Sequence, residues 1–563
     1  MIDDQFDRAA HRAAEREASA IVEGHLDLLT ELSHRELMRR VKTLLSVYVS
    51  PRSVHTGGAA VLACAERHVE ALAALQSESG LFFGGDNVQS PPDSAFTIND
   101  VCDGIELTKL AAMPERLDPI RRRLSEIAVA ATEPLLGGGV HTPNHRWELS
   151  AALTRIHRSF PSARLVARVE EWLAEGIDID AHGSYSERSA NYASHVTNPS
   201  LLLMARVLDR PDLRAIVERN LEATLDLIRP DASVETVQSR RQDQKQRFDL
   251  APYLVHYRSL AIATGRGDLA WAAERSLHAG IDDPTVLAET LLDPQLLEKL
   301  PPAVTPAFTD TTFIASLGLA TRRHGTVESV VYGGSDYGRH QRIRSGLANN
   351  PTFLRLFAGD AILDSVRLSR SFFDVGPFRA ATMTQLADAR YGLTEIVTAA
   401  YYQPLAPVDR RADGAYELGD DGRFSAAMSF PDRPRDELSM ATALDIELRA
   451  DGADIELRID SPIVPWSLEL TFRPGGVFEG VEAVAEGVWH LNGAEGSYRV
   501  GDDRIVFGPG AGRLPSSLPL YQPGQEYGFL GGTDAVGGER VYITGTAPCV
   551  ATLRVRAERV VGR

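Results

Sequence analysis

Two hydrophobic periods divide the chain. Through roughly the first 300 residues, apolar positions recur every three to four residues. In AAVLACAERHVEALAALQ (59–76), Glu, Arg and His fall on the opposite face. SARLVARVEEWLAEGI (162–177), PSLLLMARVLDR (199–210) and LRAIVERNLEATLDLI (213–228) repeat the pattern, and DRPD (209–212) and RPDAS (229–233) punctuate it. This spacing predicts helical hairpins joined by short loops, stacked as an array or closed into a ring; no fixed-length repeat names a solenoid. LEKLPPAVTPAFTDTT (297–312), with three prolines, reads as a linker. Beyond it the period becomes two. ALDIELRADGADIELRID (443–460) alternates on both sides of an Asp-Gly turn, and WSLELTFRPGG, GSYRVGDDRIVFGPG and ATLRVRAERVV continue in the same style. Helices first and strands afterwards predict segregated domains: a helical domain over 1–298, a linker over 299–312 and an antiparallel β-sandwich over 313–563.

At 563 residues the chain has room for two large cores. Its formal charge of −18 argues against a nucleic-acid surface, because phosphate contacts need a basic field. An anionic substrate then needs a local basic pocket. No stretch approaches the roughly 20 apolar residues of a membrane span, so no membrane partner is expected. The N-terminal MIDDQFDRAAHRAAEREASA has no apolar signal core. Cys64, Cys102 and Cys549 are scattered without a CxxC pair, which fits a reducing compartment; the expected location is the cytoplasm. Homo-oligomerisation is left open.

Three stretches are rich in polar and aromatic groups but poor in helical period. SGLFFGGDNVQSPPDSAFTIND (79–100) carries Phe82, Phe83, Asn87, Gln89 and Asp93. GVHTPNHRWELSAAL (139–153) sets Asn144, His145, Arg146, Trp147 and Glu148 at a helix entrance. DIDAHGSYSERSANYASHVTNPS (178–200) holds Tyr185, Glu187, Arg188, Asn191, Tyr192 and His195. A weaker fourth, ASVETVQSRRQDQKQRF (232–248), has Arg240 and Arg241 adjacent. Loops at one end of a ring of hairpins converge, and loops on a rigid scaffold are where binding and catalytic groups tend to lie.

The order SPPDSAF, NHRWE and HGSYSERSANY ahead of a β-rich half resembles the heparinase II/III-like polysaccharide lyases and the related oligoalginate lyases. The resemblance implies an N-terminal incomplete (α/α) toroid followed by an antiparallel β-sandwich. It implies that Asn144 and His145 neutralise a uronate carboxylate, that Tyr192, 47 residues beyond His145, handles the proton, and that His340 in YGGSDYGRHQRIRSG completes the site. Two positions depart from the family pattern. Arg342 stands where a second histidine helps to build a zinc site, so no metal and no cofactor is expected. His182 replaces the Asp that opens the toroid motif, so an altered subsite is expected.

Such a lyase removes the C5 proton of a 4-linked uronate and expels the C4 oxygen. Donors at Asn144 and His145 would stabilise the enolate-like intermediate as an oxyanion hole does. Tyr192 would act as base or acid, its ordinary pKa of about 10 lowered by neighbouring guanidinium groups. Arg188, Arg240, Arg241 and Arg342 are candidates for that basic pocket, with Arg339 and Arg344 beside them. Tyr185, Glu148, Trp147, Asn87 and Gln89 complete the substrate-binding set, and Phe82, Phe83 and Trp147 are candidate sugar platforms. The expected enzyme is a carbon-oxygen lyase acting on an acidic oligosaccharide, exo-acting on short chains and leaving a 4,5-unsaturated uronate.

Simpler alternatives stand beside these. Asn144 fits a helix N-cap with Trp147 as core. Tyr185 and Tyr192, seven apart, fit one helix face. RHQRIR fits a solvated strand and RRQDQKQR an exposed helix face. At the level of function, a glycoside hydrolase on an (α/α) barrel would recruit two carboxylates from Glu148, Glu187, Asp180 and Asp93. A non-catalytic carbohydrate-binding protein would keep the fold alone.

Overall fold

Short capping signals start the helices. Ser33 accepts the Glu36 N–H, the S-x-x-E arrangement that satisfies a first turn, and Ser90 accepts the Asp93 N–H ahead of Pro91 and Pro92. A computed structural model describes residues 2–26, 29–84, 87–278, 280–510, 521 and 537–559. In it the chain forms two compact units. The first comprises Met1–Ser186, Ala190–Ile228 and Asp249–Ala307; the second comprises Glu187–Ser189, Arg229–Phe248 and Phe308–Arg563.

The first unit is helical. Its elements are α1 (Asp4–Val22), α2 (His34–Val49), α3 (Ala59–Leu75), α4 (Pro91–Lys109), α5 (Asp118–Leu136), α6 (Pro143–Ser159), α7 (Ala163–Leu173), α8 (Ala190–Tyr192), α9 (Asn198–Val207), α10 (Pro211–Leu225), α11 (Leu254–Thr264), α12 (Gly267–His278) and α13 (Val286–Leu292). Consecutive helices pair: α2 with α3, α4 with α5, α6 with α7, α9 with α10, and α11 with α12. The first members pack on one another in sequence, α2 on α4, α4 on α6 and α6 on α9, which makes an inner row. From the other side, α13 packs against α1, α2 and α4. No helix among the described residues is long and apolar enough to cross a membrane.

Between α8 and α9 lies a π-turn, Ala193–Thr197, in which the Asn198 N–H reaches back to Ala193 O. Pro199 accounts for it. A proline at that position has no N–H for the carbonyl four residues back, and its ring crowds that carbonyl, so the ladder widens by one residue.

The second unit is built on antiparallel pairing, with one short parallel contact between Val488–His490 and Glu539–Arg559. Two strands, Gly452–Phe472 and Glu539–Arg559, run the length of the sheet side by side. The first half of Gly452–Phe472 pairs with Arg435–Arg449, and its second half with Ala361–Arg370. The register breaks between Ile459 and Val464, beside Pro462 and Pro465, which cannot donate to a ladder. One strand thus serves two layers, and residues of both meet in one core that includes Leu444, Ile455, Leu468 and Val541.

The expected hairpin at 443–460 is present, with its turn displaced by one residue. Arg449 pairs with Gly452, so the turn residues are Ala450 and Asp451. Gly452 already belongs to the strand. A side chain there would collide with Val555 O of the neighbouring strand, so the glycine serves close strand packing. Gly452→Ala is therefore expected to destabilise the protein by about 2 kcal/mol. Urea unfolding of the variant checks this, and an unchanged midpoint would refute the packing role.

Candidate active site

Three inner helices turn seven polar residues and one phenylalanine inward at helical spacing. On α2 these are Arg35, Arg39 and Lys42; on α4, Phe96, Asn99 and Asp100; on α6, Glu148 and Arg155. All eight line a cavity of about 390 Å³.

At its deep end, buried charge is paired throughout. Asp103 accepts from Arg155 Nε at 3.0 Å and Arg158 Nη2 at 3.2 Å, and Lys42 Nζ lies 3.3 Å away. Burial alone would raise the Asp103 pKa, but Arg155, Lys42 and Arg158 hold it well below the ordinary carboxylate range. Lys42 also reaches Asp100 at 3.1 Å and Glu289 at 2.7 Å. Arg155 donates to Asn99 Oδ1 at 3.0 Å, and Asn99 Nδ2 donates to Glu148 Oε1 at 2.6 Å. Ser200 Oγ lies 3.5 Å from the other Glu148 oxygen. Burial pushes the Glu148 carboxyl up to about 7, against the lowering pull of Asn99, Arg155 and Arg35. Burial thus favours the protonated form of this carboxyl well above the ordinary carboxylate range.

Phe96 organises the other end. The Arg35 guanidinium lies over its ring at 4.0 Å, and the His145 ring meets it edge-on at 6.4 Å. Asp93 pairs with Arg35 and lies 3.1 Å from His34 Nε2. His34 Nδ1 contacts Thr97 Oγ1 at 2.6 Å, and its ring stacks on Phe82. Burial, then the Arg35 charge, lower the His34 pKa to about 4, so it is neutral at pH 7. His141 packs edge-on against His145 at 4.7 Å. Burial lowers the Arg35 pKa, and Glu148 and Tyr192 both lie close enough for a charge on either to oppose that shift. The site therefore gathers Arg35, His145, Glu148 and Tyr192, with Asn144 one turn before Glu148 on α6.

Asn144 is not the N-cap of α6. Thr142 holds that position, Pro143 is the first helical residue, and buried Asn144 follows. Thr142 Oγ1 donates to Asn144 Oδ1 at 3.2 Å, which makes Nδ2 the donor end of the amide. Tyr192 closes α8, half-buried, immediately before the π-turn.

Several expected ligands of a substrate turn out to be structural. Trp147 is fully buried and donates its indole N–H to Asp178 at 3.2 Å, so it is core and not a sugar platform. Phe82 is likewise buried, whereas Phe83 is exposed. Tyr185 is buried, with its hydroxyl on Asn198 Oδ1 at 2.8 Å and its pKa raised by burial. It shares no helix with Tyr192, because it sits in a bridge to Ile179. Asn87 and Gln89 lie exposed on the turn before α4.

The second unit holds Arg188, Arg240, Arg241, His340 and Arg342. Arg188 donates to Ser316 O at 2.7 Å, Arg240 forks onto Asp336 at 2.8 and 3.0 Å, and Arg241 lies 3.6 Å from Glu187. Those guanidinium groups anchor their own segment. His340 ends the short helix α14 (Tyr337–His340) and is exposed, as is Arg342. Among the described residues no group of three His, Cys, Asp or Glu is arranged to hold a metal ion.

The sequence reading missed Arg35, Phe96, Asn99 and Arg155. Ser33-x-x-Glu36 marked the start of α2, and polar residues spaced three or four apart on α2, α4 and α6 marked an inward polar face.

No family model and no curated protein matches this sequence. Among solved structures, the architecture is that of polysaccharide lyases with a helical toroid and a β-sandwich. A heparan sulfate lyase mutant from Pedobacter heparinus aligns with a TM-score of 0.52 at 11% identity, over 93% of this chain and 76% of its own. The Streptomyces coelicolor A3 chondroitin AC lyase, in complex with chondroitin sulphate, aligns at 0.54 and 14%, over 100% and 80%. A Paenibacillus xanthan lyase aligns at 0.54 and 9%, over 98% of this chain and 57% of its own. The likeness is one of fold.

The Glu148 shift has a measurable thermodynamic consequence. Its folded pKa of about 7 exceeds the ordinary 4.5, so the folded state binds the extra proton between these values and stability falls as pH rises through that window. Glu148→Gln removes this loss. The unfolding free energy of the variant, relative to the parent, is expected to gain about 3 kcal/mol between about pH 4 and pH 8. Urea titrations across that range check it, and parallel pH dependences would rule out the raised carboxyl.

Proposed function

We propose that this protein is a carbon-oxygen lyase that cleaves a 4-linked uronate residue of an acidic oligosaccharide by β-elimination. The observation that carries the reading is the grouping of Arg35 and His145 around Phe96 with the buried Glu148 one turn along α6. A uronate carboxylate entering this group meets Asn144 Nδ2, His145, the Arg35 guanidinium and the protonated Glu148 carboxyl. These donors favour the dianionic form that develops when C5 loses its proton. The C5–H electron pair becomes the C4=C5 double bond, and the C4–O pair leaves with the oxygen. In a syn elimination Tyr192, as phenolate, takes the C5 proton and returns it to the departing oxygen, so one residue serves both steps.

The hydrolase alternative finds less support. Asp93 is committed to Arg35 and His34, and Asp180 Oδ1 accepts three backbone N–H groups of its own turn. Neither is arranged to act as the second carboxylate of a pair with Glu148.

Ultraviolet absorbance during incubation with uronate oligosaccharides tests the reading. A rising signal from a conjugated 4,5-unsaturated product is expected, reduced at least about 100-fold in Asn144→Ala and Tyr192→Phe. New reducing ends without that signal would mean hydrolysis. Exo-action on short chains is part of the proposal, and a rapid fall in viscosity of long polymer would sink that part.

The π-turn supplies a second test. Pro199→Ala allows a regular helix, and removing one residue from the wide turn rotates what precedes it by about 100°. Tyr192 then leaves its station. The expected result is at least about 100-fold lower activity with an unchanged or higher melting temperature; full activity would show that Pro199 does not aim Tyr192.

A further inference from the structure

The inner cavity has a side opening. Six of its lining residues, Arg155, His195, Pro199, Asp283, Thr285 and Glu289, also wall a larger space of about 780 Å³. This space is a groove of the helical unit, with α9 and α10 contributing one wall and α11 and α13 the other. It lies where the inner row does not continue: α9 packs on α6 and α10, and α13 on α1, α2 and α4.

Its chemistry differs from that of the inner cavity. Leu202, Leu203, Leu254, Val255, Val286 and Leu296 supply aliphatic surface, and among the described residues no Phe, Tyr or Trp lines it. On α11 the residues Val255, Ser259 and Ala263 follow at a spacing of four, which leaves a low, narrow floor. Among the described lining residues the flat rings are the imidazoles of His195 and His256, and the rest of the apolar surface is aliphatic. The charged positions are weighted to acid: Asp209, Asp249, Asp282, Asp283, Glu289 and Asp293 against Arg155, Arg206 and Arg214, with Arg206 bound to Asp293 at 3.0 Å. A uronate chain continuing outward would meet like charge. An uncharged alkyl chain meets no such opposition, and each methylene it buries raises affinity roughly fourfold.

We propose that this groove binds a linear alkyl or acyl chain carried by the uronate-containing saccharide whose acidic head occupies the inner cavity. The inference rests on the reading of that cavity as a uronate site, and it extends the substrate class to aliphatically substituted uronosides. The shared wall at His195, Pro199 and Asp283 is where chain and sugar meet.

Calorimetric titration of the full chain with n-octyl β-D-glucuronide, D-glucuronate and n-octyl β-D-glucoside tests it, all below the concentration at which the octyl compounds form micelles. The octyl glucuronide is expected to bind at least about 30-fold more tightly than glucuronate, with a negative heat-capacity change. Ser259→Trp fills the floor and should abolish this gain while leaving glucuronate binding unchanged. Ala263→Trp, at an exposed end of the same stripe, repeats the test without touching the core. No gain from the chain, or a gain that survives both variants, overturns the proposal. Equal binding of octyl glucoside and octyl glucuronide, lost in both variants, with no binding of glucuronate, upholds the groove as a chain site and overturns the uronate reading.

Discussion

Charge inside a helical ring must be paired, and the pairing at Asp103 governs what the rest of the cavity can do. Lys42, Arg155 and Arg158 converge on that one carboxylate. Breaking such a buried pair by removing one partner typically costs about 3–5 kcal/mol. Because Arg155 is drawn to Asp103, its hydrogen bonding toward Glu148 runs through Asn99. Glu148 is left with a neutral donor where a cation would have held it ionised, and burial decides its protonation. A structural ion cluster thus sets the acidity of a group several ångströms away. The same cluster ties α2, α4 and α6 together, so the cavity wall and its electrostatics share one cause.

The second device is covalent. A ring nitrogen without a proton, at Pro199, breaks the regular ladder and opens the turn that follows Tyr192. Prolines also interrupt the long strand Gly452–Phe472 near Ile459, where pairing passes from one layer to the other. In both units a missing donor redirects the chain at a point where side chains must change direction.

The alternation of apolar residues made the division into helices and strands legible, because burial on one face imposes its period directly. Asn144, His145 and Tyr192 stood out as candidates through their local motifs. Arg35 was not. It lies far from those motifs in sequence, and only the packing of α2 on α4 brings its guanidinium over Phe96. Trp147 was misread because an aromatic beside a polar pair looks the same whether it faces a cleft or the core. Residue 147 lies about a quarter turn around α6 from Glu148 and Arg155, toward Asp178. Gly452 was read as a turn residue because a neighbouring strand's carbonyl leaves no trace in local sequence.

The strand Glu539–Arg559 lies between Gly452–Phe472 and Asp503–Gly508, although it is the last strand of the sheet in chain order. During synthesis, Gly452–Phe472 therefore emerges well before the neighbour that covers its edge. For that interval a long row of backbone donors and acceptors stands open, a template for pairing with another chain. The ribosome delivers the helical unit first, whereas the sheet stays incomplete until residue 559 is made. Protection of the nascent edge, by slow production or a chaperone, is then expected to raise yield in a cell.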